Sequence, residues 1–190
     1  MNGYPRREIA EGLVKEAEAC NPGPWGDHSR AVARCAEQIA AAAGLNPEKA
    51  YVLGMLHDIG RKFGVKHLAH VWDGYRYLTE LGYGEAAKIC LTHSFCYPSL
   101  DDYIGRHDLP EEVLRWLAQF LEEVEYDDYD RLIQLCDCLV GGDGVVDLNR
   151  RMADIERRYG TYPRRKWDTN LWLKAYFDEK CGKDIYEITR

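Results

Sequence analysis

The chain has 190 residues, 46% of them hydrophobic and 30% charged, which suits one soluble domain with a real core. A net charge of −7 argues against a nucleic-acid binder, and no apolar run approaches the ~20 residues of a membrane helix. The start, MNGYPRREIAEG, carries no apolar signal core, so the expected location is the cytoplasm, with no membrane partner.

The elements read as helices separated by short breakers. RREIAEGLVKEAEAC is a first amphipathic helix, stopped by NPGPWG. Asp27 reads as the N-cap of HSRAVARCAEQIAAAAG, which Gly44 ends. Asn46 caps NPEKAYVLGMLHDIG, with Pro47 at its first position. LAHVWDGYRYLTELG and GEAAKICLTHSF follow, broken at Gly82 and Gly84. Pro98 and SLDDYIGRHD mark a loop, and Pro110 opens PEEVLRWLAQFLEE. After the acidic VEYDDYD a long helix runs through RLIQLCDCLV. Gly141 and Gly142 bend or end it, VVDLNRRMADIERRYG resumes, and NLWLKAYFDEKCG is the last helix. No hairpin signal, repeat or low-complexity segment stands out. The expected fold is all-α: a compact single-domain helical bundle spanning 1–190.

Seven cysteines without a C-x-x-C pair, in a chain with no export signal, read as reduced thiols mostly in the core. The polar residues on apolar faces are more informative. His28 begins a stripe with Val32, Cys35 and Ile39. His57 shares a face with Leu53, Leu56 and Gly60, and Asp58 is next to it. Asp137 lies on a stripe with Ile133 and Val140, and Arg131, nearly two turns back, is the one cation in its stretch. A buried, unpaired carboxylate costs several kcal/mol, so Asp137 needs a cation. An arginine from another helix would serve, and so would a metal shared with inward histidines. The combination of His28, His57-Asp58 and Asp137 favours the metal. The second pair, His107-Asp108, sits between Gly105 and Pro110, where a solvated or helix-capping role fits.

The series His28, His57-Asp58 and Asp137 in an all-helical chain resembles the HD superfamily of metal-dependent phosphohydrolases. HDIGRK is close to the family's HD-I-G-K form, and HVWDG (His70 through Gly74) resembles its H-x-x-x-G. His93, in CLTHSF, falls where two-metal members carry another histidine. The resemblance spans about Asp27 to Gly142, leaving 143–190 as helices packed on that region. It implies that His28, His57, Asp58 and Asp137 hold a first metal. Asp58 would bridge to a second, which His70 and His93 help bind. Nitrogen and oxygen donors without thiolate suit Fe, Mn, Co, Ni or Zn and do not select among them.

The implied reaction is hydrolysis of a phosphoester or phosphoanhydride of a nucleotide or dinucleotide through a metal-bound hydroxide, which Asp58 orients. Small bacterial enzymes that cleave diadenosine tetraphosphate symmetrically offer the best comparison. However, SFCYPS after His93 departs from their Thr-and-Gly continuation, which leaves the substrate open. Arg61, where many relatives have Lys, and Lys62 would neutralise phosphate charge. Their alternative is as solvated cations at a helix end. His67 would contact substrate, support a neighbour by a hydrogen bond, or stand exposed. Trp72, Tyr75 and Tyr77 would stack a base or fill the core, and RRYGTYPRRKW would cover phosphates or form a solvated face. Two alternatives accompany this reading: a nucleoside monophosphate phosphatase using one metal, and a non-catalytic nucleotide-binding regulator. The oligomeric state is open, a homodimer included.

Overall fold

The computed structural model describes residues 3–142 and 144–189. The fold is all-α. Helix α1, Arg7–Cys20, buries Ala10, Val14 and Ala17 on one face and stops at Asn21. Helix α2, Trp25–Ala42, starts two residues before the expected Asp27 cap. The Trp25 ring is buried and its indole N–H donates to the Asn21 carbonyl at 2.9 Å, so tryptophan burial sets the start. Asp27 lies in the first turn, where its charge suits the helix dipole and pairs with Arg30 at 3.0 Å. At the other end Gly44 takes φ 73° and the Leu45 N–H returns to the Ala40 carbonyl at 2.9 Å, a Schellman closure.

Helix α3, Pro47–Leu56, is the central element. The Asn46 side chain accepts from the Lys49 N–H at 3.1 Å, and every residue from Ala50 to Leu56 is buried. Burying each of Leu53, Met55 and Leu56 contributes about 1.5–3 kcal/mol. Gly54 lets α3 approach α2 closely, because a Cβ there would stand 2.9 Å from the Ala33 Cα. The chain then tightens into a 3-10 turn, Ile59–Phe63, that crosses the start of α4, Ala69–Glu80. A Cβ on Gly60 would fall 1.9 Å from the His70 carbonyl oxygen and 2.5 Å from the Gly74 nitrogen. The glycines of HDIG and HxxxG thus mark one backbone crossing.

Helices α5, Gly84–Thr92, and α6, Glu111–Glu123, flank a loop that holds a short 3-10 turn, Leu100–Asp102. Leu117 and Leu121 of α6 bury against Leu68, Val71, Leu91 and Phe95 in a smaller second cluster. Helix α7, Asp128–Leu139, begins inside the acidic stretch expected to precede it. Asp127 and Asp130 form a reciprocal capping box, so those carboxylates start the helix.

The chain also contains a hairpin that the reading of the sequence missed. Strand β1, Val140–Gly141, pairs antiparallel with β2, Gly144–Val145. Two residues per strand are too few to show a period, and Gly144 at φ 100° takes a backbone that side chains disfavour. Helix α8, Leu148–Tyr159, ends at Gly160 with φ 78°. Helix α9, Arg164–Cys181, begins six residues before the expected Asn170, and a last turn, α10, Ile185–Ile188, follows it. The main core runs from Ala10 to Ile185 and includes Leu173 and Phe177 of α9. No helix among the described residues is long and apolar enough to cross a membrane. All seven cysteines are free; four are buried and Cys20 is exposed.

Candidate metal centre

Four helix ends converge on one point. His28 lies near the start of α2 and His70 near the start of α4, while His57 and His93 cap the C-termini of α3 and α5. Asp58 follows His57, and Asp137 projects from α7. Helix C-termini favour positive charge, so the ends of α3 and α5 suit a cation, while the starts of α2 and α4 oppose one and leave the carboxylates to supply the negative charge.

The donor atoms lie close together. His28 Nε2–H donates to Asp137 Oδ1 at 2.8 Å, and His57 Nε2 is 3.6 Å from the same oxygen. His70 Nε2 and His93 Nε2 stand 3.2 and 3.6 Å from Asp58 Oδ1 and 3.4 Å from each other. His57 Nε2 is 3.9 Å from Asp58 Oδ2, which places it between the two carboxylates. Two metal-sized groupings result: His28, His57 and Asp137, and His57, Asp58 and His93. The six residues named from the sequence are therefore brought into one cluster.

The backbone sets the ring orientations. Nδ1–H of His57 donates to the Gly54 carbonyl at 2.7 Å, that of His93 to Ile89 at 3.1 Å, and that of His70 to His67. With Nδ1 committed, each ring presents Nε2 to the cluster, as a metal-ligating imidazole does. Burial opposes the charge of Asp58, but Arg61, His57 and His70 hold its carboxyl well below the usual range. Half-buried Asp137 is likewise held well below it, its desolvation outweighed by the hydrogen bond from His28 and the nearby His57 ring. Burial and the charge of His57 push His93 down to about 3, so the ring is neutral at neutral pH and its Nε2 accepts from the Ser94 hydroxyl at 3.0 Å. His57 moves the other way: burial disfavours its cation, but Asp58 and Asp137 outweigh it.

These residues fit a metal on evidence of their own. His57 Nε2 and Asp58 Oδ1 are buried and have no hydrogen-bond partner. Each such orphan costs about 1–3 kcal/mol, and a cation placed between them satisfies both.

The other expected contacts divide. Arg61 Nε–H donates to Asp58 Oδ2 at 2.5 Å, and the Asn21 amide holds the Arg61 carbonyl at 2.6 Å. Lys62 turns away: in a 3-10 turn each residue advances about 120°, and its ammonium meets the Tyr77 hydroxyl at 3.2 Å on the outer side of α4. The His67 ring also lies off the cleft, 2.9 Å from an Arg106 nitrogen; its carbonyl is what supports His70. Trp72 and Tyr75 pack on Trp116 of α6, which leaves them in helix packing. Asp108 accepts from the N–H groups of His67 and Ala69, both at 2.8 Å, so the second His-Asp pair caps α4.

The cluster opens into a cleft of about 1220 Å³ walled by α2, α7, the hairpin, α8 and α9. Of three further groups there, Arg151 escaped the reading of the sequence, while Tyr159 and Lys166 belong to RRYGTYPRRKW. Arg151 and Tyr159 line the cleft from α8. Lys166, from the stretch read as covering phosphates or forming a solvated face, is half-buried and meets Asp102 at 2.8 Å and the Ser94 carbonyl at 3.1 Å. Its partner lies 64 positions away, a pairing no local pattern reveals.

A family model described as the HD domain matches residues 25–141, from the first residue of α2 to the end of β1. No curated protein and no solved structure matches the chain.

Proposed function

Because this chain belongs to the HD domain family, whose members are in general metal-dependent phosphohydrolases, we propose that it cleaves a phosphoester or phosphoanhydride of a nucleotide or dinucleotide at the His-Asp cluster. The observation that carries this reading is the pair of orphaned buried atoms, His57 Nε2 and Asp58 Oδ1, inside a ring of six donors. His28, His57, Asp58 and Asp137 would hold one divalent ion, and His70 and His93 would complete a second site beside Asp58. Fe, Mn, Co, Ni or Zn all suit such donors. When bound, the metal supplies Lewis acidity: it brings the pKa of water toward about 7 and neutralises phosphate charge.

The chain's own residues do the rest. The Nδ1 back-bonds keep the imidazoles oriented before ligand arrives. Asp58, ionised and braced by Arg61, accepts hydrogen bonds from an attacking water and orients it. Arg61 also presents a planar donor fork to a phosphate oxygen at the cleft wall. The HDIG-type resemblance places diadenosine tetraphosphate among the first compounds to test.

One observation favours a second reading, a one-metal nucleoside monophosphate phosphatase. Arg61 already occupies Asp58 Oδ2, leaving Asp58 a single free oxygen. The test is phosphate release from nucleoside monophosphates and diadenosine polyphosphates with each of the five metals, for the wild type and for His70→Ala and His93→Ala. The two-metal reading expects both variants to lose at least a hundredfold in kcat. Hydrolysis that survives both substitutions selects the one-metal reading. No hydrolysis with any metal removes the enzymatic reading.

A further inference from the structure

Most cations of the cleft already have acidic partners. Arg61 holds Asp58, Arg30 holds Glu18 and Asp27, Arg158 holds Asp154 at 3.1 Å, and Lys166 holds Asp102. Arg151 is different. Its Nε is buried without a hydrogen-bond partner, and no carboxylate among the described residues pairs with it. Arg151 is half-buried, and its Nε–H has lost water without gaining an acceptor, while the guanidinium stays charged. The chain carries 32 acidic side chains against 25 basic ones, so a shortage of carboxylates does not explain the gap.

The helix that carries Arg151 is anchored at its start. Leu148 and Met152 of the same helix are buried, the Asp147 side chain caps it, and the Leu148 N–H donates to the Tyr186 hydroxyl at 2.7 Å. Arg34, from α2, lines the same cleft, exposed and without a carboxylate partner among the described residues. Arg151 lies outside the family-matched segment, so the family match assigns it no role. The cleft, about 1220 Å³, exceeds the ~300–1,000 Å³ usual for a small-molecule site and has room beyond the metal cluster.

We propose that Arg151, with Arg34 beside the same cleft, binds a second anionic group of the substrate, so that the site takes compounds carrying two or more phosphates rather than simple monoesters. The choice of phosphate rests on the phosphohydrolase reading; the anion site does not. An unpaired fork donor in a cleft is matched by a phosphate oxygen pair, which restores the missing hydrogen bonds and neutralises the charge.

The test is calorimetric titration of linear inorganic triphosphate into the full chain, stripped of metal by chelator, at 0.15 M salt. Arg151→Gln is expected to weaken binding at least tenfold. Arg151→Lys, which keeps the charge but loses the fork, should weaken it severalfold, and Arg150→Gln, exposed on the same helix, less than twofold. Without anion Arg151→Gln should melt no lower than wild type, because it removes an unsatisfied group. If it fails to fold, Arg151→Lys carries the comparison. No triphosphate binding by the wild type, equal affinity in the folded Arg151 variants, or an equal loss in Arg150→Gln would overturn the proposal. Binding that depends on Arg151 in a protein that hydrolyses nothing would keep the anion site and remove only the reaction.

Discussion

His57 and Asp58 make opposite demands at the scale of single residues. The imidazole holds its proton more tightly than usual, because its two carboxylate neighbours outweigh burial, while both carboxylates stay ionised. A metal must displace that proton, so uptake is pH-linked with a defined sign. The raised pKa means that competition begins above the ordinary imidazole value of ~6.5. Titration of the stripped protein with Zn²⁺ or Mn²⁺ at pH 8, 7 and 6 should show affinity falling toward acid, by up to about tenfold per unit for each proton displaced. His93, already neutral, adds nothing to that slope. Flat affinity across this range would remove His57 from the ligand set. His28, His57 and Asp137 were legible as polar groups on apolar stripes and Asp58 by its place beside His57, whereas His70 and His93 rested on the family resemblance. Of the alternatives left open for Lys62 and His67, the geometry lends no support to a substrate contact, because a 3-10 turn and a loop send their side chains away from the cleft.

Individual elements are held in register by contacts that local sequence does not announce. The crossing of the 3-10 turn over α4 leaves no room for a methyl group at Gly60, and the obstacle is backbone on both sides. Gly60→Ala should destabilise by about 3 kcal/mol, at the upper end for overpacking, read by urea unfolding. It should also lower metal affinity, since the displaced carbonyl belongs to His70. The start of α4 depends on Asp108, 39 positions beyond Ala69. Burial is the largest single influence and raises its pKa, but the backbone N–H groups of His67, Ala69 and Asp108 together outweigh it, so the carboxylate is held below its usual value. Its contribution is therefore present above the unfolded pKa of ~3.9 and is lost as pH falls through the lower folded value. Asp108→Ala should cost about 1 kcal/mol at pH 7, as loss of a helix cap does, and His107→Ala under about 0.5 kcal/mol. Equal effects in the two variants would contradict the capping role. The helices themselves were readable from breakers and 3.6 periodicity. The hairpin and the early starts of α7 and α9 were not, because two-residue strands have no period and acidic or basic first turns resemble loops.

At the scale of the whole molecule, the C-terminal third is tied to the cluster. Lys166 of α9 joins the Ser94 carbonyl, just after His93, and forms an ion pair with the fully buried Asp102. Lys166→Met leaves Asp102 buried and unpaired, which should cost about 3–5 kcal/mol and loosen the turn that follows His93. Nothing in the Asp27–Gly142 signature points to that dependence, because the partner lies beyond it. Metal binding should also report on the entire fold. An ion at a hundred times its Kd stabilises the native state by about 2.7 kcal/mol, or roughly 5–10 °C in Tm for a domain of this size. Differential scanning of chelated and loaded protein checks that shift.

The most direct measurement is metal content per chain, for protein purified without chelator or metal-affinity tag, alongside His93→Ala. The account predicts close to two transition-metal ions in the wild type, falling toward one in the variant. No bound metal, even after reconstitution with Fe, Mn, Co, Ni or Zn, would contradict it.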